Sequence, residues 1–189
     1  MNLTNIPDKT QDKNTTSLKF KQDVIDFFKP KNFDTCLEIG TNHGWTTRIL
    51  SSLFKEVHTL DFKDSNTNYA KQNNADRSNI IYYTEDAYTT KVWNAMPLMD
   101  VVFIDCIHTY EHVMYDINTA LSRIDTNKGM YFIFDDFGHP TSTGVHDAIM
   151  QAIKEGIKLE CYIGQSAGYQ YSEGTTLIHQ EGVILSYGK

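Results

Sequence analysis

Five apolar runs of strand length along the chain end in an acid or lead straight into one: Glu38, Asp61, Asp86, Asp105 and the pair Asp135-Asp136. Carboxylates gathered on one rim repel each other unless a cation, or a ligand rich in hydroxyl and amino donors, offsets them. Any single acid here reads as readily as a cap for the helix that follows. Their recurrence after all five runs reads as a ligand site. His108 follows Asp105 by three residues, so both can face one crevice from a strand-to-helix turn, and an imidazole there can take a proton at neutral pH.

The first of these runs opens into Glu38-Ile-Gly40-Thr-Asn42-His-Gly44-Trp. Glycine at both positions permits a tight turn, and the next helix offers free N–H groups. The pyrophosphate-cradling G-x-G-x-x-G is incomplete, which counts against NAD or FAD. Asp61 lies 21 residues beyond Gly40, where a carboxylate can accept bonds from both hydroxyls of a ribose. His108 and His112 stand four apart, and His139 and His146 flank the loop after Asp135-Asp136. A zinc or iron site built from them is conceivable, but HxxxH without the Glu of H-E-x-x-H is a weak signal, and a packed His112 is the simpler reading.

Strand-length runs at Thr35–Ile39, Glu56–Leu60, Ile80–Tyr83, Val101–Ile104 and Met130–Phe134 must position these residues. Helical stretches alternate with them at Thr46–Phe54, Ser65–Asn74, Lys91–Ala95, Tyr110–Ile124 and Val145–Glu155, after a first amphipathic helix marked by Phe20, Val24, Phe27 and Phe28. Leu159–Ile163 and Val183–Tyr187 close the chain, with Thr175–Ile178 as a candidate antiparallel partner. This alternation predicts an α/β fold: a single-domain Rossmann-like doubly wound sheet, mostly parallel with an antiparallel last strand. Residues 1–17 read as a polar, partly disordered tail and residues 18–189 as the domain.

The E-x-G-x-x-x-G turn, the acid closing the second strand, and Glu85-Asp86-Ala87 after the third resemble the class I S-adenosylmethionine-dependent methyltransferases. That resemblance implies that Glu38, Gly40, Asn42 and Gly44 hold the methionine portion of S-adenosylmethionine. It further implies that Asp61 binds the ribose, Phe62 flanks the adenine, and Asp86 with Ala87 meets its amine. Val102-Phe-Ile-Asp105-Cys-Ile-His108-Thr-Tyr110, and Phe134-Asp135-Asp136 followed by Gly144-Val145, are similar to segments of small metal-dependent O-methyltransferases of macrolide, sugar and catechol type. By that resemblance Asp105, Asp135 and Asp136 are ligands of Mg²⁺, and Asp105 and His108 are catalytic, with His108 the general base. Cys106 stands where that motif usually has Gly. A metal-dependent oxygenase or hydrolase on the same scaffold, and a non-catalytic cofactor-binding homologue, remain the alternatives.

Composition narrows the partners. Residues 1–31 carry 6 Lys against 4 Asp, whereas residues 32–189 carry 11 Lys and Arg against 20 Asp and Glu. An acidic body without a dense basic run argues against nucleic acid, whose binding depends on cations displacing counterions. The longest unbroken apolar run is Met130–Phe134, far below the ~20 residues of a membrane span. Three widely spaced cysteines and an N-terminus without an apolar signal core give the expectation of a cytoplasmic protein; the resemblance implies a small-molecule acceptor, with a homodimer left open.

Overall fold

Ser17 accepts a hydrogen bond from the Phe20 amide at 3.1 Å and thereby starts the first helix, α1 (Leu18–Phe28), in the computed structural model, which describes residues 15–188. Most of the expected disordered tail lies outside the described residues. Its last part is tied down: Thr16 is buried and Ser17 is the cap.

The chain then alternates as β1 (Thr35–Ile39), α2 (Trp45–Leu50), β2 (Glu56–Asp61), α3 (Asp64–Asn73), β3 (Ile80–Thr84), α4 (Thr90–Ala95), β4 (Val101–Ile104), α5 (Tyr110–Leu121), β5 (Met130–Phe134), α6 (Thr143–Lys154), β6 (Lys158–Ile163) and β7 (Gly182–Tyr187). One sheet takes the order β3-β2-β1-β4-β5-β7-β6. Strands β1 to β5 pair in parallel, and β7 runs antiparallel between β5 and β6. The expected α/β architecture with an antiparallel last strand is therefore the observed one. No helix among the described residues is long and apolar enough to cross a membrane.

The two-residue period of the strands sorts their side chains onto two faces. Leu37, Ile39, Val102, Ile104, Phe132, Phe134, Val183 and Leu185 pack with Trp93, Val113, Ile117, Val145 and Ile149 of α4, α5 and α6. Cys36, Val101, Phe103, Ile133 and Ile184 pack on the other side with Phe20, Val24 and Phe28 of α1 and Leu50 of α2. Burying each such side chain contributes roughly 1.5–3 kcal/mol before conformational entropy is subtracted. Glu38 falls in the column of Cys36, on the α1 and α2 face, which is why a polar partner from α2 can reach it.

Three expected elements differ, among them α5, which ends at Leu121 where the sequence predicts a helix to Ile124. The helix predicted to reach Phe54 ends at Leu50, because the Ser51 and Ser52 hydroxyls both donate back to the Arg48 carbonyl, at 2.8 and 3.1 Å, and close the last turn. Thr175–Ile178 forms no strand. It belongs to a tight excursion held by an isolated bridge between Gln170 and Thr176 and by the Tyr171 amide donating to the Thr175 carbonyl at 2.8 Å.

Candidate active site

Strand order reverses between β1 and β4, so their C-terminal ends flank the crevice where open α/β sheets bind ligands. Gly40 leaves β1 with φ +103°, and a Cβ on it would come within 1.8 Å of the Asp105 carbonyl oxygen. Gly44 has φ +75°, and a Cβ there would meet the Ala70 Cβ at 2.7 Å. Both glycines are thus demanded by neighbouring protein, which draws the turn against the end of β4 on one side and α3 on the other.

Glu38 is fully buried below this turn. Its Oε2 accepts from the Thr47 hydroxyl of α2 and the Thr59 hydroxyl of β2, while its Oε1 has no partner. Burial, followed by the charges of Asp105 and Asp61, pushes its pKa up to about 8 against those two donors. Asn42 takes a left-handed φ of +45°, which Asn tolerates, and turns its amide onto Asp61 Oδ2 at 2.9 Å. Asp61 also accepts from the Lys63 amide at 2.9 Å and the Asn66 side chain at 3.1 Å, so its carboxylate is fixed at the mouth of β2.

Phe62 beyond it is 66% exposed, with the Lys63 ammonium 5.3 Å from its ring centroid. After β3, Asp86 accepts from the Tyr88 amide at 2.9 Å, so its geometry is that of a turn acid. The Ala87 carbonyl is held by the Trp93 indole N–H at 2.6 Å.

The acids of the other half gather around an imidazole. His108 Nδ1 lies 3.2 Å from Asp136 Oδ2, and its Nε2 lies 3.5 Å from Asp105 Oδ1, an ion-pair distance at the limit of hydrogen bonding. Asp136 reaches this place through a left-handed φ of +58°, which swings its carboxylate off the line of β5. Asp105 raises the His108 pKa most, burial opposes it, and Asp136 adds to the rise. Asp135 points into the protein instead: burial, then Asp136, Asp105 and Glu181, raise its pKa well above the ordinary value, and its Oδ1 has no partner.

Among the described residues, the ligand atoms of Asp105, His108 and Asp136 all lie within 4.8 Å of one another. Two carboxylates and an imidazole at that spacing, with the buried His108 Nε2 lacking a hydrogen bond, fit a divalent cation. Asp135 is outside that group. Of the four histidines of the alternative zinc or iron site only His108 is drawn in: His112 Nδ1 lies 2.7 Å from Thr109 Oγ1, His139 Nδ1 lies 2.9 Å from Thr141 Oγ1, and His146 stacks on His179 with centroids 4.8 Å apart.

A sequence profile of the family described as "Methyltransferase domain" matches residues 37–137, more than half of the chain and the stretch from β1 to the loop after β5. The chain belongs to the methyltransferase-domain family. Solved structures of similar fold include an N-methyltransferase, NodS of Bradyrhizobium japonicum, with S-adenosylhomocysteine (TM-score 0.71, 15% identity, 98% of this chain and 93% of that one). The O-methyltransferase TomG of Streptomyces achromogenes, involved in tomaymycin synthesis and solved with S-adenosylmethionine, gives a TM-score of 0.67 at 16% identity over 93% and 82% of the two chains. An O-methyltransferase of Bacillus cereus with S-adenosylhomocysteine gives 0.65 at 18% identity over 97% and 84%. No curated protein sequence matches significantly.

Several residues of this methyltransferase domain that shape the site gave little or no signal in the sequence. Thr47 and Thr59 read as ordinary helix and strand positions, yet both donate to Glu38. Glu181, just before β7, is buried and accepts from the Ser17 amide at 2.8 Å, the Ser17 hydroxyl at 2.6 Å and the Gln165 amide at 2.7 Å. Asp116 of α5 is fully buried with neither carboxyl oxygen paired, and burial pushes its pKa up to about 7. The sequence marks it as the acid that follows the Asp105–His112 segment, in the apolar column of Val113, Ile117 and Ala120, but gives no sign that it is buried and unpaired.

Proposed function

We propose that this protein transfers a methyl group from S-adenosylmethionine to a hydroxyl of a small molecule, a sugar, polyketide or phenol, with Mg²⁺ at the acidic rim and His108 as general base. The observation that carries this reading is the imidazole bracketed by Asp105 and Asp136 beside the Gly40–Gly44 turn. Folds of this shape serve both N- and O-methyltransferases, as the solved neighbours' names state, so the acceptor atom is argued from the site. An amine needs no strong base once neutral, whereas a hydroxyl gains nucleophilicity by losing its proton to a positioned base.

S-Adenosylmethionine, with which one solved neighbour is described, supplies the methyl on a sulfonium that leaves as a neutral thioether. In this reading Glu38, Gly40, Asn42 and Gly44 hold its methionine portion, and Asp61 binds the ribose. Phe62 flanks the adenine, with Asp86 and Ala87 at its amine. Mg²⁺, when bound, lowers the pKa of an acceptor hydroxyl beside it. Asp105 and Asp136 hold the ion, with Asp135 the acid behind them. His108 takes the hydroxyl proton, and the charge it gains is stabilised by the carboxylates at both its nitrogens. The formal charge of −7 supports a small acceptor over a phosphate backbone, and the free cysteines suit a cytoplasmic setting.

The 4.8 Å convergence favours a second reading of one detail, in which His108 is itself a ligand. A donor set containing imidazole suits Mn²⁺, Fe²⁺ or Zn²⁺ better than Mg²⁺. His108→Ala separates the two: a base leaves metal affinity intact when removed, and a ligand does not.

Calorimetric titration with S-adenosylhomocysteine, with and without Mg²⁺, tests the function. Tight binding and a separate heat of Mg²⁺ binding are expected. No binding in either condition removes the methyl-transfer reading.

A further inference from the structure

The two oxygens of Glu38 are treated differently. Oε2 accepts from Thr47 and Thr59, and Oε1 is buried without a partner. Thr59 Oγ1 also lies 2.6 Å from Thr41 Oγ1. Since the Thr59 proton is given to Glu38, Thr41 must donate to Thr59. A chain of hydroxyls thus runs from Thr41, inside the Gly40–Gly44 turn, to the buried carboxyl.

The charged groups facing Glu38 share its sign: Asp61 from the end of β2 and Asp105 from the end of β4. Tyr82 of β3 and Cys36 of β1 are neutral groups whose own ionisation Glu38 opposes. On α2, the Arg48 guanidinium is committed to Asp76 at 2.7 and 2.8 Å. Burial and two neighbouring acids therefore oppose a charge on Glu38, and two hydroxyl donors favour one. Its pKa of about 8 leaves it protonated at neutral pH.

We infer that cofactor binding is coupled to proton release at Glu38: the carboxyl is neutral in the free protein and becomes a carboxylate when the ammonium of the cofactor's methionine portion reaches the Gly40–Gly44 turn. This rests on the cofactor reading above and adds a property to it. One O–H bond of Glu38 breaks, its proton passes to solvent, and one positive charge enters the site. A cation within ~4–6 Å lowers a carboxyl pKa by about 1–3 units, which carries Glu38 across neutrality. The Thr41, Thr59 and Thr47 hydroxyls are already placed to hold the carboxylate that forms, because donors favour the charged form.

The test is calorimetry of S-adenosylhomocysteine binding from pH 6 to pH 9, with chelator throughout, in paired buffers of different ionisation enthalpy. The native protein is expected to release about 0.4 to 0.9 of a proton per ligand at pH 7, the amount growing with the size of the pKa drop. Its affinity is expected to rise up to about tenfold per pH unit below pH 8 and to level off above. Glu38→Gln, which keeps an oxygen for both threonines, is expected to bind with no such release and a flat profile, so the ligand's own ionisation cancels in the difference. Thr59→Val, which removes one donor to the carboxylate, is expected to move the midpoint to higher pH and serves if Glu38→Gln does not fold. Native binding without proton release, or a pH profile unchanged in Glu38→Gln, overturns the coupling while leaving the cofactor in place. No binding at any pH overturns the cofactor reading and the coupling together.

Discussion

Gly144 packs against Tyr110 so closely that a Cβ on the glycine would come within 2.5 Å of the Tyr110 amide nitrogen and 2.7 Å of the His108 carbonyl oxygen. The first turn of α6 is thereby pressed onto the start of α5, where His108 is presented. Gly144→Ala is expected to push this turn away from Asp136 and to cost about 1–3 kcal/mol, as overpacking does. Thermal unfolding gives the stability loss, at roughly 2–4 °C per kcal/mol for a domain of this size. Mn²⁺ titration followed by electron paramagnetic resonance gives the loss of metal affinity. An alanine variant with native affinity would show that the close approach does not position the imidazole.

Glu181 joins three parts of the chain that are distant in sequence. Its carboxylate holds the Ser17 cap of α1 and the Gln165 amide after β6, and its own carbonyl accepts from the Phe137 amide at 2.9 Å. Glu181→Ala leaves the Ser17 and Gln165 donors without their acceptor in a buried place. Each costs on the order of 1–3 kcal/mol, so chemical denaturation should give a loss of several kcal/mol. Glu181→Gln keeps one acceptor oxygen and should lose about half as much. Equal stability of all three proteins would contradict this account.

Asp116 sets a pH dependence of stability. Its folded pKa of about 7 lies above the ordinary aspartate value, so the folded chain holds a proton that the unfolded chain has already lost. Stability therefore falls as pH rises from about 4 to about 7, and above that the full penalty, of order a few kcal/mol, is present. Asp116→Asn should be more stable than the native protein at pH 8 and should flatten that part of the curve, as followed by urea denaturation at each pH. Glu38, with a pKa of about 8, adds a similar slope that Asp116→Asn leaves untouched.

The parts of this molecule that were legible in the sequence are those written in local periodicity. The unbroken apolar runs Val101–Ile104 and Met130–Phe134 mark strands covered on both faces, and the acids that follow these runs fall at the strand ends by necessity. Pairing across the chain is not written locally. Nothing near Thr59 announces that its hydroxyl meets a carboxyl 21 residues away, and nothing near Glu181 points to Ser17, 164 residues back. The backbone hid one further detail: the left-handed turn at Asp136 brings that carboxylate to His108, while Asp135 remains turned into the protein. Two adjacent aspartates look equivalent in a sequence, and only the sign of φ separates them.

The division of the rim into two halves is open to a paired substitution. Asp61 is fixed by Asn42, Lys63 and Asn66 on the side of β2, and Asp136 faces His108 on the side of β5. Asp61→Ala should weaken S-adenosylhomocysteine binding about tenfold or more, the scale of a lost charge-assisted hydrogen bond of ~1.5–3 kcal/mol, while metal affinity stays native. Asp136→Ala should do the reverse, abolishing Mn²⁺ binding and leaving cofactor affinity within about twofold, because its carboxylate is turned to His108. Calorimetry with each ligand on each variant gives four numbers, and the expected pattern is two losses on one diagonal. Loss of cofactor affinity in both variants would mean that the acids act as one electrostatic unit, and the roles assigned to the two halves would have to be merged.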